Sequence, residues 1–294
     1  MSPWPKITQQ IQAVTGQSFH PETIDTIGGG CINQTYRIAD GGQRFLVKIN
    51  SVDSGDMFAA EAEGLEEIHR SNALRVPRPV CWGQHESHAW LVLEYLDLGV
   101  RSASNPDALG CGLAAMHQYR SNQFGWSRNN TIGSTPQINT RSDDWVSFWR
   151  THRLGFQLRL ALENGYRGRL QQLGERLLEC VEQFFTGYQP SPSLLHGDLW
   201  CGNYAYTGAG EPVLFDPAVY FGDREADLAM TELFGGFPQR FYSAYRHEYQ
   251  LDSGYNTRKI LYNLYHVLNH LNLFGGSYRQ QAEQMMNALL AEIR

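Results

Sequence analysis

Residues 196–203 of the chain read His-Gly-Asp-Leu-Trp-Cys-Gly-Asn, and residues 214–217 read Leu-Phe-Asp-Pro. Together these stretches offer two carboxylates and an amide, on Asp198, Asn203 and Asp216. Phosphoryl transfer from ATP needs a carboxylate that orients the acceptor hydroxyl and oxygen ligands that hold Mg²⁺ on the nucleotide. We therefore predict that Asp198 is the catalytic base and that Asn203 and Asp216 bind Mg²⁺.

The spacing within the first stretch favours this interpretation. Asp198 and Asn203 are separated by four residues, as in the catalytic loop of protein kinases, where His-x-Asp is followed by four residues and Asn. Asp and Asn are also common in ordinary turns, because their side chains bind nearby backbone groups. A turn without catalytic function is therefore the alternative for this pair.

A lysine within an apolar run is the next candidate. Residues 44–50 read Arg-Phe-Leu-Val-Lys-Ile-Asn, which predicts a strand that contains Lys48. The chain has only three lysines, and an ammonium in an apolar strand needs an anionic partner. We predict that Lys48 binds the nucleotide phosphates. The alternative is an edge lysine whose amine reaches water.

A helix rich in glutamate is predicted after that strand, over residues 57–69. It offers Glu61, Glu63, Glu66 and Glu67 as partners for the lysine. The first two cannot share one face of a helix, so only one of them can pair with it. We favour Glu61, with Glu63 as the second choice, and a solvated acidic face is the alternative.

Backbone groups are predicted to form the rest of the nucleotide site. Gly29 and Gly30 lie in a glycine-rich turn ahead of the lysine strand, where amides without side chains can approach phosphates closely. The turn is not a Walker A loop, and a plain hairpin turn is the alternative. An apolar run typical of a buried strand ends in Glu94, Tyr95 and Leu96. We predict that backbone groups of these three residues bind adenine.

Taken together, these motifs resemble the fructosamine kinase, or ketosamine-3-kinase, family. His-Gly-Asp is shared with aminoglycoside and choline kinases, whereas the tryptophan at 200 and the Phe-Gly-Gly-Phe-Pro segment are typical of the fructosamine group. The matching segments are residues 196–203, 215–218, 225–230, 29–33, 61–65, 76–79, 152–154 and 234–238.

The resemblance implies an enzyme that transfers the γ-phosphate of ATP to the 3-hydroxyl of a ketosamine, a sugar attached to an amine by glycation. The phosphorylated adduct then decomposes and frees the amine. The implied partners are a sugar-amine small molecule or a glycated protein lysine, and the implied cofactors are ATP and Mg²⁺. By position, Asp198 matches the family's base, Asn203 and Asp216 its metal ligands, and Lys48 its phosphate anchor.

Two other functions remain open from the sequence. One is a kinase of the same fold that acts on an aminoglycoside, choline or another alcohol. The other is a nucleotide-binding module without turnover, which the presence of all four kinase side chains disfavours.

The order of predicted elements gives the fold class. We expect a two-lobe, protein-kinase-like α+β fold with ATP in the cleft between the lobes. Residues 1–96 would form a small β-rich N-lobe, and residues 97–294 a larger, mainly helical C-lobe with the catalytic loop and the substrate site. Residues 121–140 are rich in Ser, Asn, Gly and Thr. We expect them to form either an ordered segment outside the helices or a mobile loop.

Three further side chains are predicted as substrate contacts. Trp200 lies beside the predicted base and could form an apolar wall for the sugar or the carbon chain of the amine, although a packed core tryptophan is equally consistent. Asp223 and Glu225 could meet a cationic amine. Carboxylates at a helix start are also explained by the helix dipole.

Two histidines four positions apart, His266 and His270, lie in the predicted helix 260–274. This spacing can bind a metal. An apolar stripe runs beside them, however, which favours packing in a core or groove.

Composition limits the class of protein. The net charge is -6, with 42% hydrophobic and 18% charged residues, which argues against disorder and broad nucleic-acid binding. No apolar stretch is long enough to span a membrane, and the first residues lack the features of a signal peptide. The five cysteines show no Cys-x-x-Cys pair. We expect a cytoplasmic monomer or weak dimer without nucleic-acid or membrane partners.

Overall fold

The computed structural model describes residues 2–28, 32–99 and 104–293. Contacts divide the chain into two compact units. The first comprises residues 1–105 and 204–217, and the second comprises residues 106–203 and 218–294. The domain boundary expected after residue 96 remains a prediction. Contacts group residues 204–217, which the sequence had placed in the C-lobe, with the first unit.

Eleven strands are defined among the described residues: β1 Thr23–Ile27, β2 Gln34–Ala39, β3 Arg44–Ser51, β4 Pro79–His85, β5 His88–Glu94, β6 Asn130–Ile132, β7 Thr135–Gln137, β8 Ser193–Leu195, β9 Tyr204–Tyr206, β10 Pro212–Leu214 and β11 Tyr220–Gly222. The α-helices are α1 Trp4–Thr15, α2 Gly55–Ser71, α3 Pro106–Gln118, α4 Trp145–Phe148, α5 Gly155–Glu163, α6 Arg169–Cys180, α7 Glu225–Leu233, α8 Gln239–Glu248, α9 Tyr255–Phe274 and α10 Tyr278–Glu292. A π-helical segment, Trp149–Leu154, joins α4 to α5.

The first unit is built on an antiparallel sheet with the strand order β1-β2-β3-β5-β4. Side chains of a strand alternate between its two faces. Phe45, Val47 and Ile49 of β3 therefore share one face and join a core with Ile7 and Ile11 of α1. Lys48 lies between Val47 and Ile49, so its side chain is on the opposite face of the strand. The β9–β10 hairpin is part of this unit.

The second unit is mainly helical, and 12 of the 20 residues of its helix α9 are buried. Residues 121–140 are ordered, because they contain the β6–β7 hairpin. Gly125 also pairs with Phe221 of β11. Strand β8, which leads into residues 196–203, pairs with β11.

The predicted α+β fold class is confirmed, with a five-stranded sheet in one unit and helices in the other. The lysine strand and the glutamate helix are where the sequence predicts them, as β3 and α2. Helices α4 and α5 do not form one continuous α-helix, because the π-helical segment lies between them. Among the described residues, no helix is both long and apolar enough to cross a membrane.

Candidate active site

The amine of Lys48 contacts two carboxylates of its own unit. Its Nζ lies 2.5 Å from Oε1 of Glu61 and 2.5 Å from Oδ1 of Asp216. The side chains of Lys48 and Glu61 are only 7% and 11% exposed. Burial alone would lower the pKa of Lys48, but the charges of Glu61 and Asp216 outweigh this effect and raise the pKa well above its ordinary value. The lysine is therefore a permanent cation, paired with the glutamate that the sequence favours over Glu63.

We expect the Glu61→Gln variant to lose about 10- to 100-fold in kcat/KM for ATP, because a charge-assisted hydrogen bond that orients Lys48 contributes about 1.5–3 kcal/mol. Glu63→Gln is the matched control on the same helix and should stay within about twofold of the parent protein, because Lys48 pairs with Glu61 and substitutions away from such a pair usually have small effects. Steady-state kinetics at varied ATP concentration measures both variants. A larger loss in Glu63→Gln would reassign the pairing.

Asp216 has an unusual backbone conformation for a residue other than glycine. Its φ is +52°, in the left-handed region that Asp and Asn tolerate better than other residues. The side chain stays 55% exposed while one oxygen binds Lys48. The turn therefore presents a carboxylate that is accessible and anchored at one oxygen.

The 196–203 loop holds Asp198 and Asn203 together. The Asn203 side-chain amide donates to the backbone oxygen of Asp198 at 2.8 Å and to its Oδ2 at 3.3 Å. Asn203 is buried and Asp198 is half-buried. Because the Asn203 nitrogen is engaged with Asp198, its amide oxygen is the atom that faces other ligands.

The loop requires glycine at position 197. Gly197 has φ +83°, and an added Cβ would lie 2.1 Å from the carbonyl oxygen of Ala218. The backbone N–H of Ala218 in turn donates to the carbonyl of His196 at 2.8 Å. Residues 196–197 and Ala218 therefore pack backbone against backbone, which fixes where Asp198 emerges.

Asp227, a residue of α7, holds the 196–203 loop in place through hydrogen bonds to its backbone. Its carboxylate accepts the backbone N–H of His196 at 2.7 Å and that of Gly197 at 2.8 Å. His117 Nε2 lies 3.2 Å from the same carboxylate. Burial opposes ionisation, but the hydrogen bond from His117 and nearby positive charge lower the pKa of Asp227. Sequence reasoning did not identify this anchoring function of Asp227.

Asp223 and Glu225, predicted as substrate contacts, are buried structural groups. Asp223 accepts hydrogen bonds from Tyr188 at 2.9 Å and Tyr262 at 2.5 Å. Glu225 forms a bidentate ion pair with Arg258, in which Nε and Nη2 of the arginine lie 2.7 and 3.1 Å from the two carboxylate oxygens. Burial raises the pKa of both carboxyl groups. Neither leaves surface for a substrate, so the structure does not support their predicted contact with an amine.

Trp200 is partly exposed beside Asp198. Its indole ring lies against Gly202, where a Cβ would come within 2.4 Å of two ring atoms. The short loop thus fixes the ring, and one of its surfaces stays open to solvent. This position suits the predicted apolar wall for a substrate.

The predicted adenine-binding segment follows β5. The backbone N–H of Glu94 already donates to the carbonyl of Arg78 at 2.8 Å, so this donor is not available to adenine. The Glu94 carboxylate lies 3.0 Å from Arg75. Tyr95 packs beneath the guanidinium of Arg44, and Leu96 is half-buried. Gly29 and Gly30 lie outside the described residues.

The amide oxygen of Asn203 and the carboxylate of Asp216 are both of the hard oxygen type that Mg²⁺ prefers. The chemistry of each residue therefore fits its predicted role as a metal ligand. No group of three or more His, Cys, Asp or Glu side chains within residues 2–28, 32–99 and 104–293 is arranged to hold a metal on its own.

A set of buried amides in the second unit supports the strand that follows Asp216-Pro217. Asn130 donates to the carbonyl of Val219 at 2.8 Å, and Gln137 donates to that of Ala218 at 3.0 Å. Asn139 links Asn130 to the guanidinium of a fully buried arginine, Arg153. These contacts could not be predicted from the sequence, because polar residues in a predicted loop normally face water.

The two histidines of α9 pack in the protein interior, as their apolar neighbours predict. His266 is almost fully buried, and its Nδ1 has no hydrogen-bond partner among the described residues. Burial, with a smaller contribution from His270, lowers the pKa of His266 to about 3. His266 is therefore neutral in the folded protein.

This neutral histidine should make the fold sensitive to acid. Below pH 6.5 the unfolded chain takes up a proton at position 266 that the folded chain excludes until about pH 3. Stability is therefore lost as the pH falls, by about 1.4 kcal/mol at pH 5.5 from this group. Urea unfolding at pH 7.5 and 5.5 should show that His266→Gln loses less stability than the parent protein by this amount. The exposed control His85→Gln should behave like the parent, and an unchanged slope in His266→Gln would contradict the assignment.

The fold is that of kinase-like phosphotransferases. A solved fructosamine-3-kinase candidate from Haemophilus somnus 129PT superposes with a TM-score of 0.90 at 29% identity, covering 98% of this chain and 97% of that chain. A thermostable mutant of the aminoglycoside phosphotransferase APH(4)-Ia shares the fold with a TM-score of 0.61 at 14% identity, covering 97% of this chain and 98% of that chain.

The sequence comparisons identify the family within this class of phosphotransferases. The fructosamine kinase family model matches residues 3–292. A Synechocystis protein named "Probable ketoamine kinase" is 49% identical over 98% of this chain and 97% of its own length. The chloroplastic protein-ribulosamine 3-kinase of Arabidopsis thaliana is 40% identical over 95% of this chain and 86% of its own length. The chain belongs to the fructosamine kinase family.

Proposed function

We propose that the protein is an ATP-dependent ketosamine 3-kinase, which phosphorylates the sugar 3-hydroxyl of fructosamine or ribulosamine adducts and so starts their removal from amines. Membership in the fructosamine kinase family is the observation that carries this proposal. The names of the relatives, ketoamine kinase and protein-ribulosamine 3-kinase, are consistent with it.

Asp198 would act as the base. Its carboxylate accepts the proton of the substrate 3-hydroxyl while that oxygen bonds to the γ-phosphorus of ATP. The bond between the γ-phosphorus and its bridging oxygen breaks, and ADP leaves. Asn203 keeps Asp198 in place through the two contacts described above, and Trp200 would cover the apolar side of the sugar.

The remaining residues would hold the nucleotide. Lys48, oriented by Glu61, would bind the phosphates, and Gly29 and Gly30 would bring backbone amides to them. Glu94, Tyr95 and Leu96 would bind adenine through backbone groups other than the N–H of Glu94. Bound Mg²⁺ would neutralise phosphate charge, with Asn203 and Asp216 as its protein ligands. Much of the catalysis then comes from positioning and charge neutralisation.

ATP consumption should be measured with a fructose- or ribulose-modified lysine and with unmodified lysine, and the products should be read by mass spectrometry. Phosphate gain on the glycated amine alone is the expected result. An aminoglycoside, choline and other alcohols belong in the same panel, because the fold alone accommodates such substrates. Turnover of one of these without ketosamine turnover would favour the alternative kinase, and ATP binding without any turnover would favour a non-catalytic module.

The cytoplasm is the proposed location. The described cysteines, Cys81, Cys111, Cys180 and Cys201, are all free thiols, as is usual in a reducing compartment.

A further inference from the structure

An aromatic cluster surrounds His270 at the end of α9. Its imidazole centre lies 4.8 Å from the ring of Phe234, 5.6 Å from that of Phe274 and 5.2 Å from that of Tyr278. Phe274 is 60% exposed, which is unusual for a phenylalanine. We refer to these four side chains as the aromatic cluster. The proposed kinase chemistry uses none of them.

His270 keeps one hydrogen-bonding atom for a ligand. Its Nδ1 lies 2.8 Å from the carbonyl oxygen of His266. A carbonyl can only accept, so Nδ1 carries the hydrogen and Nε2 carries the lone pair. Among the described residues, no protein group donates to Nε2. Burial lowers the pKa of His270, so the ring is neutral at pH 7 and does not repel a cation.

The aromatic cluster borders the 196–203 loop. The thiol of Cys201 contacts the carbonyl oxygen of Phe234, with 3.4 Å between sulfur and oxygen. Cys201 is three residues from Asp198, a separation that chain geometry limits to about 11 Å between Cα atoms. The cluster is therefore close to the proposed base and still outside its immediate contacts.

A cavity of about 380 Å³ is lined by residues of α7, α9 and α10, and the residues of the aromatic cluster lie on these helices or directly after them. Leu233 and Gln281 line it, and they lie one residue from Phe234 and one helical turn from Tyr278, respectively. The other lining residues are Lys259, Ile260, Asn263, Gln284, Met285 and Ala288. Asn263 is only 7% exposed, and its Oδ1 has no hydrogen-bond partner among the described residues. A buried amide without a partner is costly, which points to a polar ligand in the cavity.

We infer that the aromatic cluster and the cavity bind the amine-bearing part of the ketosamine, with a glycated lysine of a peptide as the occupant; this inference rests on the proposed function. The linking nitrogen of a ketosamine is a secondary amine that is protonated at neutral pH. Its N–H donates to Nε2 of His270, and the two rings nearest to His270, those of Phe234 and Tyr278, attract its charge. The lysine chain and the adjacent peptide groups then occupy the cavity, where Asn263 supplies an acceptor.

The test compares two substrates that carry the same sugar, a fructose adduct of methylamine and a fructose adduct of lysine within a short peptide. Phe274→Ala and Met285→Ala should each lower kcat/KM for the peptide adduct by about 10-fold, and for the methylamine adduct by less than about twofold, because only the peptide adduct reaches these side chains. His270→Phe keeps an aromatic ring and removes the acceptor, so it should weaken both adducts by about 10-fold. Trp82→Ala, an exposed aromatic residue of the other unit, is the control and should change neither.

Binding is measured separately from turnover. Calorimetry in the Asp198→Asn background should show weaker binding of the peptide adduct when Phe274→Ala is added. Unchanged binding, or equal kinetic losses for both adducts in Phe274→Ala and Met285→Ala, would overturn the inference while the proposed kinase function stands. If the parent protein phosphorylates neither adduct, the proposed function fails, and calorimetry still decides whether the aromatic cluster binds the peptide adduct.

Discussion

The Asp198→Asn variant is expected to lose about 10²- to 10⁴-fold in kcat, the range typical of removing a positioned general base. An amide cannot take up the proton of the sugar hydroxyl. It keeps an oxygen at the same place, so the contact from the Asn203 amide can persist and the 196–203 loop can retain its shape. ATP binding should change little, because the proposed base does not hold the nucleotide.

Single-turnover kinetics with a glycated lysine, together with ATP titration, measures both quantities. Asp107→Asn is a suitable control, since Asp107 is an ion-paired surface carboxylate of the same unit, and it should leave kcat unchanged. Turnover near that of the parent protein in Asp198→Asn would remove Asp198 as the base.

The Asp227→Asn variant should be impaired in both catalysis and stability. The carboxylate accepts two backbone N–H groups, from His196 and Gly197. An amide can accept one of them, but it presents its own N–H to the other. A buried donor left without an acceptor costs about 1–3 kcal/mol. Because the affected groups immediately precede Asp198, we also expect kcat to fall by about 10-fold or more, a change equivalent to about 1.4 kcal/mol in the barrier.

Asp223→Asn separates these two effects. Asp223 is equally buried, but only its Oδ1 accepts a backbone N–H, from Glu225. An amide oxygen can keep that contact, while the hydroxyl of Tyr262 on the other side can rotate to accept from the amide nitrogen. Urea unfolding should show destabilisation in both variants, whereas kcat should fall mainly in Asp227→Asn. If Asp227→Asn and Asp223→Asn were equally stable and lost kcat equally, Asp227 would support only the fold.

The first unit was predictable to a large extent, because its key residues follow local rules. An apolar run with strand periodicity placed Lys48 in β3, and helix geometry allowed only one of Glu61 and Glu63 to reach it. The loop of Asp198 and Asn203 follows a fixed spacing, and the structure holds the two residues in contact. Their roles in catalysis and metal binding remain predictions.

The structural roles that could not be predicted from the sequence depend on contacts between residues far apart in the chain. The anchoring contact of Asp227 joins α7 to a loop about 30 residues earlier in the chain, and no local pattern encodes it. Burial of Asp223 and Glu225 depends on Tyr262 and Arg258 of a helix more than 30 residues further on. The same holds for the amides of Asn130 and Gln137, whose acceptors are more than 80 residues away.

The β9–β10 hairpin has a consequence for dissecting the molecule. Its strands belong to the first unit, where Glu211 pairs with Arg75 and the carbonyl of Tyr206 accepts the N–H of Gly99. A fragment that stops at residue 105 would therefore lack part of its own structure, including Asp216, the partner of Lys48. No single cleavage of the polypeptide yields the first unit intact. An isolated first unit would need residues 204–217 joined back to it, by a linker or by rearranging the order of the chain.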